Sequence, residues 1–189
     1  MPQQSLNLYP LKIPILFCFC VLMLSACVGP QTPPPVPTPR PEQKPYSVPP
    51  PKPDSKAFYR LSEHTQCVPY ARKVSGIPIR GNAHTWWYQA EGKYQRSATP
   101  KVGAVMVLSK TQRLKYGHLA VVKRVIDSRN IEVEHANWGG SRETRMIAYR
   151  RMPVVDTSKN NDWSSARFWN YPSSSYGSVY KVSGFIYPN

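Results

Sequence analysis

The feature that most restricts how this chain of 189 residues can fold is a proline-rich segment near its start. Residues 30–53 contain 12 prolines in 24 positions, with Gln, Thr, Ser and Lys between them. Proline fixes φ and has no backbone N–H, so this segment cannot enter a packed helix or sheet and favours extended polyproline II. It predicts a linker at residues 28–54 and one folded domain at residues 55–189. A ligand for an aromatic groove is the alternative interpretation.

The first 27 residues have the pattern of an export signal. Lys12 is their only charged residue, and the apolar residues 13–24 follow it. An apolar stretch of about 12 residues is too short to cross a hydrocarbon core of roughly 30 Å as a helix. A cleaved signal peptide at residues 1–27 is therefore predicted.

The end of this segment resembles the lipobox of bacterial lipoproteins, because Leu24, Ser25, Ala26 and Cys27 stand in that order. In those proteins the signal peptidase cuts before a cysteine whose sulfur carries diacylglycerol. The resemblance implies lipidation at Cys27 and a membrane anchor there. Val28, rather than Asp, follows the cysteine, which implies an outer-membrane lipoprotein that faces the periplasm. An ordinary secretory signal with an unmodified Cys27 is the alternative.

The predicted domain has about 135 residues, enough for one hydrophobic core and too few for two. Without the signal peptide, 24 basic and 10 acidic residues leave a net charge of +14. Such a charge indicates an anionic environment. For an exported protein this means cell-wall carboxylates and anionic lipid, so nucleic acid is not an expected partner. A basic surface that only confers solubility is the alternative, and a monomer is expected.

Local patterns predict helices first and strands afterwards. Pro69 fits only the first turn of a helix, so a helix should begin near Cys67, run to Ser75 and end at Gly76. A second helix is predicted at residues 82–92. Predicted strands occupy residues 104–108, 118–125 and 131–137, with later candidates at 145–149 and 184–187. This order predicts an α+β domain with N-terminal helices packed on an antiparallel β-sheet.

Cys67 is the candidate nucleophile. The other three cysteines, Cys18, Cys20 and Cys27, lie in the predicted signal, and a lone thiol in an exported domain cannot form an internal disulfide. At the first turn of a helix the macrodipole favours the thiolate, so the sequence predicts a lowered thiol pKa. A buried structural cysteine is the alternative interpretation.

Two histidines follow at positions that suit a base and its orienting partner. His118 directly follows Gly117 and opens an apolar strand, which places it at a sheet end as a candidate general base. Along residues 131–137, His135 lies on the apolar, inward face, so it is expected to accept the Nδ1 proton of His118. Glu134 points the other way and would need a β-bulge to serve instead.

The remaining polar and aromatic candidates are weaker. The histidines form no His-x-x-x-His pair and the cysteines no Cys-x-x-Cys, so no zinc site or other cofactor is predicted. Trp138 stands next to the proposed triad and is a candidate wall of the substrate cleft. The others are assigned to exposed, core or turn positions: His64 and His84, Trp86 and Trp87, Asp156 and Asp162.

Taken together, these residues resemble the CHAP family of cysteine, histidine-dependent amidohydrolases and peptidases. The resemblance covers about residues 58–189 and rests on Gln66-Cys67, Gly117-His118, residues 100–105 and residues 135–138. It implies a papain-like fold in which the cysteine opens a helix packed on an antiparallel sheet that carries the histidine. Family members cleave peptidoglycan as N-acetylmuramoyl-L-alanine amidases or as stem or cross-link endopeptidases, without a cofactor.

The resemblance also implies roles for individual residues. Gln66, Asn137 and Trp138 would support the site or contact the substrate, and Asn137 could orient His135. Many members carry Glu, Asp or Asn at the position of His135. The implied reaction is acyl transfer from a peptide amide through a Cys67 thioester, with Cys67, His118 and His135 as the catalytic residues.

Two functions are compatible with this pattern. The first is a peptidoglycan hydrolase with a Cys-His-His mechanism, either an amidase or an endopeptidase. The second is a non-catalytic peptidoglycan-binding or envelope-structuring lipoprotein that keeps the same fold. Loss of Cys67 would abolish the first function and leave the second intact.

Overall fold

A computed structural model describes residues 57–189 of the chain. The predicted signal peptide at residues 1–27, the lipidation site at Cys27 and the linker at residues 28–54 lie outside the described residues. Within residues 57–189, no helix is both long enough and apolar enough to cross a membrane.

The described part contains three helices and eight strands. The helices are α1 (Cys67–Ser75), α2 (Trp86–Gln89) and α3 (Arg142–Arg145), and a 3-10 turn (Ala83–Thr85) precedes α2. The strands are β1 (Phe58–Arg60), β2 (Arg96–Ser97), β3 (Val105–Leu108), β4 (His118–Val125), β5 (Asn130–Ala136), β6 (Ile147–Asp156), β7 (Ser165–Asn170) and β8 (Ser175–Ile186).

The strands form a closed antiparallel barrel. Strands β3 to β6 pair in sequence as a meander, and β8 pairs with the free side of β3. Strand β7 then pairs with both β6 and β8, which closes the ring at six strands. The short strands β1 and β2 add to β6 and β8. Closure leaves few unpaired strand edges.

Strand β3 and residues 118–122 of β4 are buried on both faces because the barrel interior and the helices each cover one side. The interior cluster takes from them Met106, Leu108, Ala120 and Val122. The outer cluster contains Val105, Val107, Leu119 and Val121, together with Ala71 of α1 and Trp86 of α2. The alternation follows the two-residue period of a strand. Helix α1 therefore packs directly on the strand that begins with His118.

The expected α+β, papain-like arrangement fits only in part. An N-terminal helix does pack on an antiparallel sheet, but the sheet curls into a barrel and the helices are few and short. The sequence reasoning missed β7 entirely, and β6 and β8 extend well beyond residues 145–149 and 184–187. Ser, Gly and Asn weaken the strand signal of residues 165–186, and barrel closure depends on pairings between distant segments.

Three further local predictions differ from the structure. The segment 82–92 is a 3-10 turn followed by one turn of α-helix rather than a continuous helix. Strand β5 ends at Ala136, because Asn137 adopts a left-handed φ of 58°. Asp156 is the buried last residue of β6 rather than a turn residue, and its Oδ1 accepts a hydrogen bond from the backbone N–H of Ser158.

Candidate active site

Helix α1 places Cys67 at its first turn. Gln66 is the N-cap with extended backbone, and no side chain caps the helix start. Pro69 has no backbone N–H, and N–H groups in the first turn of a helix have no partner within the helix. Pro69 therefore fits there without the loss of a hydrogen bond. The helix ends where Gly76 turns left-handed, with φ 76° and its N–H donating to the carbonyl of Arg72. Helix and thiol thus lie where the sequence placed them.

A tight turn places His118 at the start of β4. Gly117 has φ 71°, a conformation that favours glycine, and a Cβ there would lie 2.5 Å from the carbonyl oxygen of Leu108. Leu108 also pairs with His118 across β3 and β4. The other side of the turn is held by His84, which lies 3.1 Å through Nδ1 from the backbone carbonyl of Tyr116. His84 therefore supports the loop and does not line the cleft.

His118 and His135 contact each other inside the barrel. His118 Nε2 lies 2.8 Å from His135 Nδ1, and the rings are nearly perpendicular, at 81°. The structure brings together His118, chosen for its place at the start of a strand, and His135, chosen by strand parity. The expectation that Nδ1 of His118 faces His135 is wrong, because the ring is turned so that Nε2 makes this contact. Nδ1 of His118 is therefore the ring nitrogen that does not contact His135.

The far side of His135 is apolar. Its Nε2 lies 3.1 Å from the Sδ atom of Met152. The rings of Tyr149, Phe168 and Trp138 surround it with centroids 5.4 to 5.6 Å away. His135 is only 1% exposed, so its two nitrogens depend on His118 and Met152 for partners.

Glu134, the alternative partner, lies on the opposite face of β5. Its Oε1 accepts a 2.7 Å hydrogen bond from the Tyr70 hydroxyl of α1, and its Oε2 lies 3.1 Å from Lys123 Nζ. The register of β5 against β6 shifts between Val133 and His135, yet the shift does not turn Glu134 inward. Glu134 therefore ties α1 to the sheet.

A polar network lies above the thiol. Asn137 Nδ2 donates to Gln66 Oε1 at 2.6 Å, and His64 Nε2 lies 3.0 Å from Asn137 Oδ1. Asn137 thus binds Gln66 and His64 instead of orienting His135. Sequence reasoning assigned His64 to an exposed surface, whereas it lines the cleft with Cys67. Its position three residues before Cys67 was the one available signal.

These residues open into one cleft of about 950 Å³. Cys67 and His118 lie in its wall, as do Gln66, His64, Asn137 and Trp138. The indole of Trp138 lies 4.6 Å from the His118 ring, centroid to centroid, and so covers the imidazole. The cationic residues that line the cleft are Arg113, Lys115 and Arg145. No Asp or Glu occurs among the described residues that line it.

Both histidines are uncharged at neutral pH. Burial lowers the pKa of His118 to about 3. Burial also lowers the pKa of His135 well below its usual value, and the neighbouring His118 lowers it further. The cause is the loss of hydration of the imidazolium form in the barrel interior, where no carboxylate of residues 57–189 contacts either ring. A neutral imidazole is the form that can accept a proton.

The predicted lowering of the thiol pKa is wrong in direction. Burial raises the pKa of Cys67, and backbone hydrogen bonds at Leu119, Val68 and Cys67 itself offset only part of that effect. His118 is neutral at rest and supplies no positive charge to hold a thiolate. Desolvation therefore outweighs the backbone hydrogen bonds at the helix start, and the resting cleft holds a thiol and a neutral imidazole.

Within residues 57–189, no group of three or more His, Cys, Asp or Glu side chains is arranged to hold a metal ion. Cys67 and His118 line the same cleft, and His118 contacts His135 behind it. A thiol and a neutral imidazole in one cleft are the groups that nucleophilic acyl transfer uses.

Comparison with solved structures gives limited overlap. An N-acetylmuramoyl-L-alanine amidase from Staphylococcus aureus is 27% identical with a TM-score of 0.35, over 46% of this chain and 30% of that chain. The crystal structure of Ly7917 is 17% identical with a TM-score of 0.30, over 61% of this chain and 68% of that chain. No curated protein matches the chain. The chain thus spans under a third of the length of the amidase.

A family match covers the part of the chain that forms the site. The matched region runs from β1 to the end of β5 and includes Cys67, His118 and His135. Strands β6 to β8, which close the barrel and supply Met152 and Phe168, lie beyond it. Residues 57–137 of this chain carry a CHAP domain.

Proposed function

We propose that this protein is a peptidoglycan hydrolase that cleaves an amide bond by acyl transfer to Cys67. The bond would be either the amide between the sugar and the stem peptide or one within the stem or cross-link peptides. The observation that carries this proposal is the shared cleft of Cys67 and His118, with His118 Nε2 held 2.8 Å from His135 Nδ1. The CHAP domain at residues 57–137 supports the same reaction class.

In the proposed reaction, His118 acts as the base. Its neutral ring takes the proton of the Cys67 thiol at Nδ1 as the sulfur attacks the amide carbon. His135 stabilises the imidazolium through the bond at Nε2 of His118. The same proton then goes to the leaving amine, and water releases the acyl group from the thioester.

The start of α1 supplies donors for the developing oxyanion. No side chain caps this helix, so the N–H of Cys67 is not taken by a cap. Pro69 removes one further donor from the first turn, which limits the candidates to the N–H groups next to the thiol. An oxyanion at this point also gains from the positive end of the helix dipole.

The lining of the cleft fits an anionic peptide. Arg113, Lys115 and Arg145 contribute positive charge there, without a carboxylate among the described lining residues. Peptidoglycan stem peptides carry free carboxylates, which charge-assisted hydrogen bonds from Arg and Lys would bind. Trp138 and Tyr180 offer apolar surface beside these cations.

The test is the analysis of soluble fragments released from purified peptidoglycan by the full chain, by mass spectrometry. Fragments with a free sugar lactyl group would assign amidase activity, and cut stem or cross-link peptides would assign endopeptidase activity. Cys67→Ala should release nothing while remaining folded. Undiminished release by folded Cys67→Ala would contradict the proposal, and murein binding without release by the wild type would favour the non-catalytic function.

We also propose that Cys27 carries a lipid anchor and that the proline-rich linker holds the domain away from the outer membrane, on its periplasmic side. The support is the order of lipobox, linker and domain in the sequence. At about 3.1 Å per residue, the linker would reach on the order of 70 Å. Mass spectrometry of the mature N-terminus tests this proposal, since an unmodified Cys27 would contradict it.

A further inference from the structure

The bond between His118 and His135 can hold its proton in two ways. Two neutral imidazoles joined from Nε2 to Nδ1 share one hydrogen, and either ring can donate it. If His118 donates, its Nδ1 is unprotonated and can accept the proton of Cys67. If His135 donates, the proton of neutral His118 lies on Nδ1, and His118 cannot act as a base toward the thiol.

Met152 distinguishes these two states. Its Sδ atom lies 3.1 Å from Nε2 of His135, and a thioether sulfur can only accept a hydrogen bond. The contact is a hydrogen bond only when His135 carries its proton on Nε2. Nδ1 of His135 must then accept from His118. In the opposite state, a nitrogen lone pair would face the sulfur lone pairs.

Burial makes the position of the shared proton energetically important. His135 and Met152 are each 1% exposed and His118 is 3% exposed, so solvent cannot replace a missing partner. The other close neighbours of His135 among the described residues are aromatic rings. A buried nitrogen without a partner is costly, and the sulfur of Met152 is therefore the acceptor that settles the proton position.

We infer that Met152 is a positioning residue that holds His135 as the Nε2–H tautomer and thereby keeps Nδ1 of His118 free to accept a proton. The consequence for catalysis rests on the proposed function, because only a nucleophilic Cys67 needs this base. The tautomer of His135 is independent of the proposed function, since it is a property of the buried pair alone. Sequence patterns assign no role to this residue, since Met152 reads as one more apolar residue in a strand.

The experiment is 15N NMR of the full chain in detergent with 15N-labelled histidine, because imidazole nitrogen shifts report which nitrogen carries the proton. Wild-type His135 and His118 should both be protonated on Nε2. Met152→Leu, a volume-conserving change that cores tolerate, should shift His135 toward the Nδ1–H state. It should also lower kcat by roughly 10-fold with little change in KM, at the low end of the range for orienting partners.

Two further variants separate this role from packing. Met106→Leu makes the same change in the same buried cluster and should alter neither the tautomer nor kcat. Met152→Gln restores an acceptor through its amide oxygen and should return the Nε2–H signal. A wild-type His135 protonated on Nδ1, or an unchanged tautomer in Met152→Leu, would overturn the inference. Because NMR reads the tautomer without substrate, a protein that shows the Nε2–H signals yet releases no murein fragments would refute only the proposed function.

Discussion

Cys67 and His118 line one cleft and are both uncharged at rest, and this property determines how the thiol should react. Burial raises the thiol pKa, and the neighbouring imidazole carries no charge because its own pKa is about 3. Alkylation of Cys67 by iodoacetamide, followed by mass spectrometry of its peptide, should therefore have its pH midpoint above the roughly 8.5 of a free cysteine. A midpoint well below that value would indicate a preformed thiolate–imidazolium pair.

The role of His135 can be separated from that of Glu134, its neighbour in sequence. His135→Ala removes the acceptor at Nε2 of His118 and should lower the rate roughly 10- to 100-fold. Glu134→Gln keeps an oxygen that can accept from Tyr70 and should leave the rate near that of the wild type. Steady-state kinetics on both variants provides the comparison. An inactive Glu134→Gln beside an active His135→Ala would reverse the assignment.

Strand parity was enough to select His135 over Glu134, because adjacent residues of a strand face opposite sides. It could not give the ring orientation of His118. The choice between Nδ1 and Nε2 depends on how Trp138 packs against the ring and on how the turn at Gly117 presents it. The direction of the thiol pKa was missed for a related reason, since the effect of a helix dipole is visible in sequence and the depth of burial is not.

Among the local elements, the turn before β4 sets the position of His118. Gly117→Ala would place a Cβ 2.5 Å from the carbonyl oxygen of Leu108 and 2.8 Å from the backbone nitrogen of His84, in addition to the left-handed φ. The variant should lose more stability than the roughly 1 to 2 kcal/mol typical of that conformation alone, and should lose activity through a displaced His118.

Gly92→Ala is the matched control for this change. Gly92 has a similar φ of 68°, but a Cβ there would meet no atom within 4 Å. The Gly92→Ala variant should lose the stability that a left-handed φ costs an alanine and should keep nearly all of its activity. Chemical denaturation and kinetics of the two variants measure the difference. Equal effects of both substitutions would mean that the close contacts at Gly117 do not position His118.

The elements that the sequence predicted well are those with local signals. Helix α1 runs from Cys67 to Ser75 as Pro69 and Gly76 indicated, and β4 spans His118–Val125 as its apolar run indicated. Strand β7 has no comparable signal, and it forms because β6 and β8 both offer it a free edge. Its Phe168 packs on His135 and Trp138, so part of the site depends on a pairing that local patterns do not encode.

For the whole molecule, the buried histidine pair predicts loss of stability in acid. His118 has a pKa of about 3 when folded and about 6.5 when unfolded. Between these values the unfolded chain binds a proton that the folded chain excludes, so the stabilising contribution is complete above pH 6.5 and falls as the pH decreases toward 3. His135 acts in the same direction.

This effect should appear as a decrease in the free energy of unfolding between pH 6.5 and pH 5, before most carboxylates titrate. A double variant with Gln at His118 and His135 should flatten that slope, measured by urea denaturation at each pH. His84→Gln is the control, since this side chain is only partly buried and contacts neither member of the pair. If the free energy of unfolding of the double variant still decreases between pH 6.5 and pH 5, other groups are responsible for the pH dependence.

Cationic side chains line the cleft, and among them Arg113 is held in place by contacts with Tyr180. Its guanidinium lies over the ring of Tyr180, 5.1 Å from the centroid, and one nitrogen donates to the hydroxyl of Tyr180 at 2.9 Å. Arg113→Gln should raise KM roughly 3- to 10-fold for stem peptides with free carboxylates, as expected for loss of an exposed charge-assisted hydrogen bond. The KM for amidated peptides should be nearly unchanged. Added salt should raise the KM of the wild type for carboxylate peptides more than that of the variant.

Arg150→Gln is the matched control, because Arg150 stacks on Tyr59 in the same manner, 4.4 Å from the ring centroid, outside the cleft. Equal changes in KM for both variants would show that the net charge of the protein, and not Arg113 in the cleft, favours peptides with free carboxylates.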